Sequence, residues 1–199
     1  MSLKFSNPEQ FIIGYSTSRY KGYETKDCVV KAFAILFGIS YDESHGFARG
    51  FFQRNERNGT RGFTQGLRTM MKHPHARFNG HITEMECRKN ETVGSIQKRH
   101  VKGIFLVDTF DHVSVLCDGV WLDYKGLITS SSKVNAVYRF SDFEHYATIR
   151  SQLGQDKKKE IDWLTLILLA LIAYAVFFEG DKLKRDLNRL KHWVTTEVF

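Results

Sequence analysis

The chain has 199 residues, of which 42% are hydrophobic and 26% charged, with 16 Phe, 8 Tyr and only 2 Pro. That length supports one domain with a sizeable core plus an appendage, and the composition excludes a linker-rich or disordered protein. The formal net charge of +7 suits anionic surfaces, but the basic residues are spread widely and are densest around an apolar segment near the C-terminus, so nucleic acid is a disfavoured partner.

Cys28, Cys87 and Cys117 are odd in number and show no C-x-x-C spacing. This argues against a disulfide framework or a zinc knuckle and fits a reducing compartment. No cofactor or metal is expected. The histidines His73, His75 and His81 have no carboxylate or thiol at ligand spacing. The first residues lack the long apolar run of a secretory signal.

In chain order, residues 10–15 suggest a short strand and 16–26 a polar loop. Asp27 and Gly38 bracket an almost wholly apolar helix, with an N-cap type at one end and a C′ glycine at the other. Cys28 falls in the first turn of that helix, where unpaired N–H groups and the helix dipole favour a thiolate. Ser40-x-x-Glu43 opens a second helix to about Gln53. Residues 54–62 read as a loop, 63–72 as a third helix, 76–82 as a strand and 92–99 as a short helix. Residues 103–109 form a strand. A further strand over 133–140 precedes Ser141-x-x-Glu144, a second capping pattern, with a helix to about Arg150. Helices early and antiparallel strands late predict an α+β fold.

The segment 111–124 predicts a β-hairpin. Asp118-Gly119 favours a two-residue type I′ turn between two apolar runs. Counting outward pairs Cys117 with Val120, Leu116 with Trp121 and Val115 with Leu122. His112, Ser114, Trp121 and Asp123 then share one face, with Asp123 the diagonal neighbour of His112. A carboxylate beside a histidine orients the imidazole and stabilises its charged form, as a general base requires. Cys28, His112 and Asp123 thus form a candidate nucleophile, base and orienting group. Each residue alone has a blander reading: a buried thiol, a histidine at a strand start and a carboxylate at a hairpin end.

The segment 27–32 with Gly38 and Tyr41, the Gly59-Thr60 loop, Thr92-Val93-Gly94, and 103–107 leading into 112–115 with Asp118-Gly119 and Asp123 resemble small papain-fold proteins of tailed phages. These are similar to bacteriocin-processing and cell-wall cysteine peptidases. The resemblance covers roughly residues 20–140. It implies a papain-like α+β fold and a Cys-His-Asp triad acting on a peptide or protein substrate. The pattern departs in one place. Papain-like enzymes often carry a Gln shortly before the nucleophile as an oxyanion donor, and residues 18–26 contain none.

Residues 1–150 are therefore expected to form the papain-like domain, followed by a polar linker over 151–160. Residues 161–179 are read as a transmembrane helix, uncharged from Trp163 to Phe178 and slightly short for a bilayer. Residues 180–199 are read as a basic amphipathic tail suited to headgroups or a partner helix. The reading is a single-pass membrane protein whose domain faces the cytoplasm or the inside of a virion. Two functions are expected: a membrane-anchored cysteine hydrolase, or a non-catalytic papain-fold structural or genome-delivery component with a virion or host-envelope partner.

Overall fold

A computed structural model describes residues 2–54, 59–60, 63–72 and 81–154, which fall almost wholly in one compact unit, Met1–Leu153. The fold is α+β. Strands β1 (Phe5–Ser6), β2 (Ile82–Met85), β3 (Ile104–Thr109), β4 (Val113–Cys117), β5 (Val120–Leu122) and β6 (Val134–Phe140) form one sheet in the order β1-β5-β4-β3-β6-β2. The helices are α1 (Cys28–Phe37), α2 (Tyr41–Phe52), α3 (Phe63–Met71), α4 (Val93–Arg99) and α5 (143–154).

Alternation along the strands divides the core in two. Ile104, Leu106, Val113, Val115, Cys117, Ala136 and Tyr138 pack with α1, α2 and α3. Phe105, Val107, Leu116, Trp121 and Val137 pack with Val93 and Ile96 of α4 on the opposite face. Both faces are covered, so β3 and β4 are buried along their whole length. Trp121 is fully enclosed, and its indole N–H donates to Gln97 Oε1 at 2.7 Å.

The hairpin forms in the register counted from its turn, with Val115 opposite Leu122, Leu116 opposite Trp121 and Cys117 opposite Val120. Asp118 and Gly119 have φ of 47° and 77°, the paired positive values that a type I′ turn demands. Helix α1 ends as expected at Gly38, left-handed with φ 60°. Its start differs in one detail. Asp27 makes no side-chain cap, because its carboxylate instead accepts from Tyr41 Oη at 2.6 Å and pairs with Lys31 Nζ at 3.1 Å. The first N–H groups of α1 are left without that partner. Ser40 does cap α2, accepting from the Glu43 N–H at 3.2 Å.

Several expectations are corrected. Residues 10–15 are not a strand. Asn7 accepts from the Glu9 N–H and Pro8 starts a 3₁₀ turn over Pro8–Phe11, leaving only an isolated bridge from Ile13 to Ser40. The sheet is mixed rather than antiparallel, because β1 pairs in parallel with β5. The strand expected over 76–82 is found at Ile82–Met85, and residues 73–80 lie outside the described residues.

The second capping pattern is displaced by one residue. Asp142 Oδ1 accepts from the His145 N–H, while Ser141 is occupied by the His81 carbonyl. The following helix continues past Arg150 to 154 because Ile149 and Leu153 both bury against the core. The rest of the expected linker, the apolar segment 161–179 and the basic tail lie outside the described residues. Among the described residues no helix is long and apolar enough to cross a membrane.

Candidate active site

Cys28 opens α1, His112 immediately precedes β4, and Asp123 immediately follows β5. The hairpin brings the last two together: His112 Nε2 and Asp123 Oδ2 are 2.6 Å apart. Both side chains are mostly buried, at 12% and 8% exposure. The second oxygen of Asp123 accepts from the Tyr124 N–H at 2.8 Å, so the carboxylate is fixed at both ends. Helix α1 packs against β4 and brings its first turn to the ring, close enough for the Cys28 thiol to act on the charge of His112.

The backbone at His112 is held tightly. Its carbonyl accepts from Thr109 N–H at 2.8 Å and from Thr109 Oγ1 at 2.7 Å. This closes the turn between β3 and β4 and sets the imidazole at the strand mouth, with Phe110 almost fully exposed at its tip. Burial pulls the His112 imidazolium down, but the hydrogen bond it donates to Asp123 and the nearby charges of Asp123 and Cys28 outweigh it and carry the ring up to about 10. The ring is therefore held charged at neutral pH.

The other two cysteines stand apart. Burial raises both thiols, Cys117 to about 12, and each packs in apolar surroundings. All three cysteines are free.

The three residues line one open cleft of about 1010 Å³. The cleft is lined by the segment 24–28, α1, the β3–β4 turn, the start of α3 and the Gly59-Thr60 pair. Thr60 Oγ1 and Ser114 Oγ are enclosed and make no hydrogen bond among the described residues. On the same cleft, Lys31 Nζ reaches the Tyr124 hydroxyl at 3.2 Å and lies 4.7 Å from that ring's centre, tying α1 to the chain just after Asp123. Tyr124 in turn donates to Glu9.

The sequence showed no sign of a buried ionic cluster behind the cleft wall. Glu24 accepts from His45 Nε2 at 2.8 Å and from the Arg54 guanidinium, and Arg54 Nη1 also donates to the Lys26 carbonyl at 2.7 Å. Tyr20 stacks on His45 with ring centres 3.8 Å apart. Arg54, expected in a solvated loop, is instead the pin that fixes residues 24–26. Its only sequence signal is an arginine in a polar run, which does not distinguish the two.

Among the described residues no group of three or more His, Cys, Asp or Glu is placed to hold a metal ion; His73 and His75 lie outside them. Comparison of the chain with protein-family models, with curated proteins and with solved structures finds no match.

Proposed function

We propose that this protein is a papain-like cysteine hydrolase that cleaves a peptide or amide bond, with Cys28 as nucleophile, His112 as acid and base, and Asp123 as the orienting carboxylate. The observation that carries it is one imidazole bonded to a buried carboxylate, with the thiol at a helix start beside it in the same open cleft.

With Nε2 engaged by Asp123, Nδ1 is the nitrogen left to face the sulfur. The reacting form of the pair is thiolate and imidazolium, the thiol proton having passed to the ring. The sulfur attacks the substrate carbonyl carbon, and the developing oxyanion meets the free N–H groups of the first turn of α1. His112 gives its proton to the leaving amine as the C–N bond breaks. Water then attacks the thioester, its proton passing to His112, and the acid product leaves with Cys28 restored as thiolate. Asp123 keeps the ring aligned through both steps. The short motifs shared with small phage papain-fold proteins agree with this chemistry, and the apolar run 161–179 supports a membrane tether for the domain.

The test is alkylation by iodoacetamide followed by peptide mass mapping. Cys28 should react well ahead of Cys87 and Cys117, and His112→Ala should slow it about tenfold or more, since thiolate is the reactive form. Labelling of Cys28 no faster than of Cys87 would sink the hydrolase and leave a non-catalytic scaffold.

A further inference from the structure

A second carboxylate in the cleft takes no part in that chemistry. Asp108 lies near the end of β3, opposite Val113, the residue that follows His112. It is 6% exposed and lines the cleft. It sits on the sheet face covered by α1 and α3, since its neighbours across the ladders, Val113 and Ala136, both belong to that core.

Its surroundings do not account for a charge. Thr64 Oγ1 donates to Asp108 Oδ2 at 2.6 Å, and among the described residues no other hydrogen bond or ion pair reaches it. Burial raises its carboxyl, and only the Thr64 hydrogen bond opposes that. The Tyr138 hydroxyl is itself enclosed and makes no hydrogen bond among the described residues. Every other carboxylate deep in the cleft wall has a cationic or strong donor partner: Glu24 has Arg54 and His45, Asp27 has Lys31 and Tyr41, Asp123 has His112. A buried acid with one neutral donor is costly to keep unless something supplies the missing positive charge.

We propose that Asp108 is a specificity residue that receives a cationic side chain of the substrate, a lysine or arginine next to the scissile bond. This rests on the hydrolase reading. Phe63 forms an apolar wall beside Thr64, suited to an aliphatic stem, and the exposed Asp111 and Phe110 stand at the rim. An ammonium group entering here donates N–H hydrogen bonds to the free oxygen of Asp108 and to the Thr64 hydroxyl oxygen. It thereby satisfies a carboxylate that the fold leaves half satisfied.

The experiment compares two peptidyl chloromethyl ketones that differ only in lysine against norleucine, on the full chain, by the rate of Cys28 modification. The lysine reagent should react about ten- to a hundredfold faster, the span expected of one charge-assisted hydrogen bond. Asp108→Asn should erase that preference once the rate of each reagent is divided by the variant's own iodoacetamide rate at Cys28. Equal rates for the two reagents on the unaltered chain, or a preference that survives Asp108→Asn, overturns the proposal. A failure of the hydrolase reading looks different, as slow iodoacetamide labelling insensitive to His112→Ala. In that case pentylamine is the probe. It should shift the amide resonances of Thr64 and Thr109 in the unaltered chain and not in Asp108→Asn, and the absence of shifts overturns the recognition site as well.

Discussion

The carboxylate of Glu24 and the guanidinium of Arg54 meet with both side chains shut off from water, at 2% and 0% exposure. Arg54 follows α2 and Glu24 precedes α1, so this contact clamps two segments 30 residues apart. Removing Arg54 leaves the Glu24 charge buried without the guanidinium, although His45 stays beside it. Arg54→Met should cost about 3–5 kcal/mol of folding stability. Urea unfolding measures it, and pairing the change with Glu24→Gln should recover part of the loss. A cost near zero would mean the clamp carries no stability.

Asp123→Asn keeps the shape of the carboxylate and removes its charge. The His112 ring then loses its strongest supporting partner while burial still pulls it down. Its titration midpoint, read by NMR of the ring protons, should fall well below about 10. Iodoacetamide labelling of Cys28 at pH 7 should slow about tenfold or more, each unit of pKa being a factor of ten. An unmoved midpoint would show that Asp123 does not hold the ring.

The same imidazole makes stability depend on pH. Its ordinary value is 6.5 and its folded value about 10, so the folded state binds the proton more tightly. The stabilisation is fully present below pH 6.5 and is lost as pH rises through about 10. Melting temperature should therefore fall across that alkaline window, and the fall should be shallower in His112→Gln. Parallel curves for the two proteins would contradict the assignment.

Asp108 acts in the same sense but in a lower pH window. Its carboxyl is raised by burial, so its contribution is present below the ordinary carboxylate range and is lost as pH climbs through its raised value. Asp108→Asn, which retains an acceptor for Thr64, should melt at the same temperature or higher at pH 7. Its advantage should shrink toward pH 4. A lower melting temperature at pH 7 would mean that the carboxylate is structurally needed. A stabilising loss of charge in the cleft is the usual mark of a group kept for function.

The hairpin and α1 were legible because each is fixed locally. Asp118-Gly119 dictates its own turn, and Gly38 ends the helix beside it. With those two elements placed, Cys28, His112 and Asp123 could be picked out from chain order and strand alternation. Strand β1 was not legible. It has two residues, no periodicity, and a partner more than a hundred positions away. Ser141 and Asp142 are both good caps, and only the neighbouring His81 carbonyl decides between them. Arg54 lies in a polar run that suggested a solvated loop, and the apolar strand around Asp108 carries no sign of what its carboxylate meets. Whether such a charge is paired depends on elements that the local sequence does not name.

The pairing of β1 with β5 has a practical side for anyone handling this protein. The carbonyls of Lys4 and Ser6 accept from the N–H groups of Trp121 and Asp123. The opening residues therefore act as a splint along the outer edge of the three-residue strand that leads to Asp123. A purification tag that tugs on residues 4–6, or trimming that removes them, would free that edge and let the carboxylate drift, dulling Cys28 from a distance. Fusions are better attached in a way that leaves this border of the sheet undisturbed.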